Sequence, residues 1–222
     1  MSERPFDAAP RSVVFDVDST LVGIEGIDWI AARRPAAVAE RVASLTDESM
    51  AGARPLEEIY GERLAVVAPT RDEVEALAAV YLTELATGAG RCLDALQRAG
   101  CRTILVSGGL HPALLPLASR LGVAAEDVHG VEITFDGDGR FVDFDHESPL
   151  AHQRGKATLI ASLGLPRPLV AVGDGSTDLA IRTAGIADLF VAYTGFVRRT
   201  AVVAGADRAV DSFDALHALL LP

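Results

Sequence analysis

Residues 11–21 read RSVVFDVDSTL, and the break inside this run decides the fold. Arg11 to Phe15 is short, β-branched and aromatic, which reads as a buried strand. It stops at Asp16-Val17-Asp18-Ser19-Thr20, where the chain turns abruptly polar. A buried strand that delivers carboxylates at its carboxyl end opens an α/β unit, and ligands collect at that edge of such sheets.

Working outward from this run, Gly23 to about Gly88 follows a helical rhythm with no alternating strand. Thr70 and Glu73 form a capping box ahead of Val74, Leu77, Tyr81, Leu82 and Leu85, and Gly88 is the stop. Pro35, Gly52, Pro55 and Pro69 divide the block into about four helices. Beyond it, strands and helices alternate. Arg91 to Ala99 is a helix and TILV (Thr103 to Val106) a strand, and a helix runs from Pro112 to Gly122. Val131 to Phe144 reads as a hairpin around Asp136-Gly137-Asp138-Gly139. A helix over Gly155 to Leu163, a strand over Leu169 to Val172 and a helix over Ser176 to Ala184 follow. The chain then gives a strand at Leu189 to Ala192, a helix at Phe196 to Val203, a last strand, and a helix at Phe213 to Leu221. The expected fold is α/β: a Rossmann-like parallel sheet with helices on both faces, residues 1–22 and 88–222 forming the core and 23–87 an inserted helical cap.

Of 222 residues, half are hydrophobic and 23% charged, enough for a large buried core. Met1 to Pro10 has no apolar segment of a secretory leader, and no stretch nears the roughly 18 apolar residues of a membrane span. Cys92 and Cys101 lack metal or redox spacing and read as reduced, buried thiols. The expectation is a cytoplasmic protein, with monomer and homodimer both open. A net charge of −11 argues against nucleic acid as a partner, and nothing suggests a membrane. That charge would also repel an anionic substrate, so positive charge must be placed at the site itself. Nineteen of the twenty basic residues are arginine, and the single lysine is Lys156. A compact ammonium differs from a planar guanidinium fork, so the exception hints at a position that wants the former.

Four polar clusters fall at strand ends: Asp16 to Thr20, Ser107-Gly108-Gly109, Arg154-Gly155-Lys156, and Gly173-Asp174-Gly175-Ser176-Thr177-Asp178. Each alone has an ordinary explanation as a turn, a loop or a helix cap. Together at one edge they supply a nucleophile, a neighbouring acid, metal ligands, a hydroxyl, backbone amides and an ammonium, the parts of a phosphoryl-transfer site. Asp16 and Asp18 point alike if the strand continues. With Asp174 and Asp178 they make an acidic cluster that asks for a hard cation, and Mg²⁺ suits it.

This order of clusters, from Arg11 to Asp178, resembles the haloacid dehalogenase superfamily. The resemblance implies Asp16 as nucleophile and Asp18 as general acid and base. It implies Mg²⁺ held by the carboxylates of Asp16 and Asp174 and the backbone carbonyl of Asp18, with Asp178 in support. Ser107, Gly108 and Lys156 would bind the phosphoryl group, and Thr177, standing where asparagine is frequent, can still donate to it. Within the superfamily, the run from Asp16 to Asp28 and the segment Gly61-Glu62-Arg63-Leu64 resemble the phosphoserine phosphatases. That implies Glu25 on the substrate's ammonium, Arg63 on its carboxylate and Met50 in the pocket. A carboxylate and a guanidinium facing one pocket are what a zwitterion needs. Leu56 stands where the family often has an aromatic, Ala51 where it has glycine, and Gly195 keeps part of a glycine-rich loop. The implied partner is a small anionic phosphomonoester, phosphoserine first. Another small monoester, transfer to an alcohol, or a phospho-accepting signalling module are the alternatives. The five histidines lack metal spacing and read as surface or capping residues.

Overall fold

The computed structural model describes residues 5–6, 8–50 and 53–221, the Met50 side chain excepted. Strand β1 (Ser12–Phe15) is buried along its whole length and pairs on both edges. One neighbour is β2 (Arg102–Leu110), which in turn pairs with β3 (Val128–Val131). The other is β6 (Leu169–Gly173), followed outward by β7 (Leu189–Tyr193) and β8 (Arg208–Val210). All five pairings are parallel, giving the order β3-β2-β1-β6-β7-β8. The chain therefore winds one way from β1 and then back the other way, which leaves a crevice at the carboxyl ends of β1 and β6. Strands buried on both faces explain the near-continuous apolar runs SVVF, LVAVG and LFVAY.

Two expectations need correction. The sheet holds a strand that pattern reading overlooked: Val128–Val131 (VHGV) carries a histidine and a glycine, which mask its β character. The hairpin accordingly starts later, with β4 (Ile133–Phe135) pairing antiparallel with β5 (Phe141–Phe144). The helix expected from Phe196 instead begins at Thr200 (α9, Thr200–Gly205), so Phe196 to Arg199 is loop.

Between β1 and β2 stand α1 (Gly26–Ala31), α2 (Ala36–Met50), α3 (Leu56–Val67), α4 (Arg71–Thr83) and α5 (Ala89–Arg98). The Thr70–Glu73 capping box starts α4 as expected, and Arg34, in the bend after α1, pairs with Glu73 at 2.7 Å. Helices α1 to α3 pack on one another, whereas α4 lies along α6 (His111–Arg120). The remaining helices are α7 (Gly155–Ser162), α8 (Ser176–Thr183) and α10 (Phe213–Leu220). Cys92 and Cys101 are buried free thiols, and burial pushes each up to about 12.

Candidate active site

Asp16 follows β1 and Asp174 follows β6, so the crevice between these strands brings their carboxylates together. The strand does not run on to Asp18, contrary to the extended-segment expectation. After Phe15 the chain coils: the N–H groups of Thr20, Leu21 and Val22 all donate to the Val17 carbonyl, at 3.2, 2.8 and 3.0 Å. Ser19 takes a left-handed φ of 54°, a conformation that costs a residue with a Cβ about 1–2 kcal/mol. It turns its hydroxyl onto Glu25 Oε1 at 2.7 Å. The loop, not strand alternation, makes Asp16 and Asp18 share one cavity.

Lys156, one residue into α7, is buried, and its ammonium lies 2.6 Å from Asp16 Oδ1 and 2.7 Å from Asp178 Oδ1. Burial works against that charge, but the two carboxylates outweigh it and hold the ammonium above its ordinary pKa. Asp178 also accepts from the Gly175 N–H at 3.0 Å. It folds back over Gly173, where a Cβ would sit 2.2 Å from its carboxyl carbon, so the strand must end in glycine. Burial, then the Asp16 charge, pushes the Asp178 carboxyl up, against the pull of Lys156.

On the next side, Ser107, Gly108 and Gly109 prove to be the irregular last part of β2 and not a loop after it. The buried Ser107 Oγ accepts from the Gly109 N–H at 2.9 Å. Tyr60 of α3 reaches over to donate to the Gly108 carbonyl at 2.8 Å. Thr177, buried at the start of α8, lines the same cavity. Asp18 is held by Tyr81 of α4, whose hydroxyl lies 2.6 Å from Oδ1. Burial and the charge of Glu25 keep the Asp18 carboxyl well above the usual carboxylate range, with the Tyr81 bond pulling the other way.

Glu25 and Arg63 line the same cavity, with Ile27, Leu56 and Leu150 as apolar wall. Burial raises the Glu25 carboxyl while Ser19 lowers it. Arg63 is 4% exposed, pairs with Asp28 at 3.3 Å and, among the described residues, leaves its Nε without a partner. Thr46 donates to the same Asp28 oxygen at 2.7 Å, which fixes the guanidinium's partner. The Met50 side chain and Ala51 lie outside the described structure. His152, read from sequence as a surface or capping residue, lines this cavity.

A model of the haloacid dehalogenase-like hydrolases matches residues 13–181. A chloroplastic phosphoserine phosphatase of Arabidopsis thaliana is 35% identical over 209 residues, spanning 93% of this chain and 70% of that one. The chain belongs to the haloacid dehalogenase-like hydrolases, in the phosphoserine phosphatase family. Two solved structures carry the likeness into three dimensions. A phosphoserine phosphohydrolase-like protein from Francisella tularensis superposes with a TM-score of 0.88 at 25% identity, over 95% of this chain and all of that one. A phospho-aspartyl intermediate analogue of phosphoserine phosphatase gives 0.76 at 25% identity, over 92% and 94%.

A family member of this kind raises the question of a cation. Oxygens of Asp16, Asp174 and Asp178, all buried, lie within 4.8 Å of one another. Mg²⁺ binds oxygen at about 2.0–2.1 Å, so ligands on opposite sides of it stand about 4.2 Å apart. A slight contraction brings this set into range, and the donors are hard oxygens, so the residues fit. The Asp18 side chain is outside the group, turned to Tyr81.

Several contacts escape pattern reading. Arg199, in the loop before α9, pairs with Asp174 Oδ2 and lies 4.0 Å from Glu25 Oε1. Gln153 donates to Ser176 Oγ at 2.8 Å, and that hydroxyl donates to the Ser49 carbonyl of α2 at 3.0 Å. The Gln153 N–H meets Glu57 of α3 at 2.8 Å, so one short segment ties α2 and α3 to the start of α8. Arginine 199 is one of nineteen and carries no distinguishing neighbour, and a lone glutamine or tyrosine in a helical pattern reads as surface or core.

Proposed function

We propose that this chain hydrolyses O-phospho-L-serine to L-serine and phosphate, with Mg²⁺ bound, through a phospho-aspartate on Asp16. The observation that carries the reading is that one cavity is lined both by Asp16 and Lys156, in contact at 2.6 Å, and by Glu25 and Arg63. The first pair suits a phosphoryl group and its attacking carboxylate, the second an ammonium and a carboxylate. Asp16 and Asp174, the Asp18 carbonyl and, in support, Asp178 would hold the Mg²⁺, which neutralises charge between phosphate and nucleophile.

The remaining steps belong to this chain's own residues. Lys156, Ser107, the Gly108 backbone and Thr177 grip the phosphoryl oxygens while an Asp16 oxygen attacks phosphorus. Asp18, protonated, gives its proton to the serine oxygen as the P–O bond breaks, then takes one from the water that cleaves the acyl phosphate. Burial, which raises the Asp18 carboxyl, favours its protonated form. Residues 23–87 act as a cap that opens for substrate and closes to exclude water before the phospho-enzyme forms. Turnover of L-phosphoserine, phosphothreonine and phosphoethanolamine, assayed side by side as phosphate release, tests the reading. No release from L-phosphoserine would discard it.

A further inference from the structure

The phenol of Tyr81 ends at the general acid although the residue belongs to a helix of the insert. Tyr81 is fully buried, and among the described residues its hydroxyl has one hydrogen-bond partner, Asp18 Oδ1 at 2.6 Å. The route to that partner has been cleared of side chains. A Cβ on Gly26 would stand 2.2 Å from the Tyr81 oxygen, closer than any real Cβ contact, and one on Gly109 would stand 3.6 Å away. A Cβ on Gly109 would also stand only 3.2 Å from Asp18 Oδ2, so the bare glycine leaves that oxygen room beside the phosphate-binding segment. Tyr81 thus takes one oxygen of Asp18 and leaves the other turned toward the reacting groups. The helix that bears it, α4, lies along α6, which begins where Ser107 to Leu110 ends, so the phenol is anchored to the core side of the cavity. Burial and the charge of Asp18 keep the phenol well above its ordinary pKa, so it stays a donor.

From this geometry we propose that Tyr81 is a positioning residue for proton transfer, fixing the Asp18 carboxyl so that Oδ2 carries the proton to the departing serine oxygen. The proposal rests on the reading of Asp18 as proton donor. The balance is simple: the Asp16 O–P bond forms, the serine O–P bond breaks, and the Asp18 Oδ2 proton moves to that oxygen. Freeing the carboxyl to rotate would lower the fraction of encounters with the proton in reach. Only a leaving group that needs a proton should register the loss.

Tyr81→Phe keeps the ring and removes the hydroxyl. In kcat/KM, which reports events up to departure of the leaving group, the variant should lose about 10- to 100-fold on L-phosphoserine, part of the usual worth of a general acid. On acetyl phosphate, whose acetate leaves unprotonated, it should lose less than about threefold. Equal losses on both substrates would mark a purely structural role and overturn the proposal, as would no loss on either. Asp18→Asn in the same two assays separates this from the underlying reading. If Asp18→Asn shows the selective loss and Tyr81→Phe does not, only the role of Tyr81 falls. If neither shows it, Asp18 is not the donor and both fall.

Discussion

Lys156 Nζ stands 2.6 Å from Asp16 Oδ1, with both side chains buried. A second carboxylate, Asp178, holds the ammonium from behind at 2.7 Å, and the Gly175 N–H holds Asp178 in turn. If Asp16 is the nucleophile, it meets a point charge already fixed in place, and reorganisation at the moment of attack is small. An ammonium fits between two carboxylates this close, whereas a guanidinium spreads its charge over a wider plane.

Lys156→Ala is expected to lower kcat by roughly 10²-fold or more, the usual loss for a transition-state charge contact. Lys156→Arg should recover only part of it. Steady-state kinetics on L-phosphoserine decide this, and full activity in the arginine variant contradicts the steric argument.

Asp16→Asn should remove turnover by several orders of magnitude and leave the fold intact, since Asp178 still pairs with the Lys156 ammonium and the substitution relieves repulsion among the three carboxylates. Circular dichroism and phosphate release on the same sample check both halves. Retention of a tenth of the wild-type rate would rule out a phospho-aspartate on this residue.

Much of this arrangement is legible in the sequence because strand ends and acidic turns coincide. RSVVF followed by Asp16, and LVAV followed by Gly173-Asp174, each announce a buried strand emptying into a polar loop. The lone lysine stands out by contrast with nineteen arginines. What pattern could not deliver depends on tertiary placement. VHGV becomes a strand only because β2 offers an edge to pair with, so tertiary context overrides weak local propensity. Asp28 of α1 becomes the partner of Arg63 of α3, and Arg199 reaches Asp174 from a loop that pattern assigned to a helix. The capping box, by contrast, is local chemistry over four residues and was readable to the residue.

Metal removal offers a third expectation. EDTA should abolish turnover and Mg²⁺ restore it, while Ca²⁺ restores it poorly because it takes more ligands at longer distances. A metal-dependent rise in melting temperature should accompany the rescue, since an ion that binds only the folded chain stabilises it. Undiminished hydrolysis in EDTA would set the acidic-cluster argument aside.

Stability should carry a signature remote from the cavity. The Arg34 guanidinium, with the Thr70 N–H, holds the Glu73 carboxyl down to about 2, at a capping box that starts α4. A carboxyl depressed in the folded state stabilises above its unfolded pKa and loses that contribution as pH falls toward the folded one. Glu73→Gln should therefore cost about 1–2 kcal/mol at pH 7, the partly exposed setting discounting the full shift. The difference from wild type should shrink steadily from about pH 4.5 to 2, measured by urea denaturation at several pH values. A pH-independent difference would mean that packing, and not the ion pair, is lost.

Substrate choice is the sharpest test. If Glu25 and Arg63 take the two ends of a zwitterion, L-phosphoserine should exceed both phosphoethanolamine and 3-phosphoglycerate in kcat/KM. Phosphoethanolamine lacks the carboxylate and leaves the buried Arg63 short of a partner, its Nε already being unsatisfied. 3-Phosphoglycerate lacks the ammonium and leaves Glu25 facing a hydroxyl. Losing one charge-assisted contact costs about 1.5–3 kcal/mol, or roughly 10- to 150-fold. The pattern should invert selectively: Glu25→Gln narrows the gap against 3-phosphoglycerate, and Arg63→Met the gap against phosphoethanolamine. Asp28→Asn should weaken the second discrimination by a smaller factor, because it loosens the guanidinium that it holds at 3.3 Å without removing it. Leu56 lines the cavity with less bulk than an aromatic ring, so phosphothreonine should be hydrolysed as well. Equal rates on all four compounds would leave a phosphatase whose substrate is not chosen by Glu25 and Arg63.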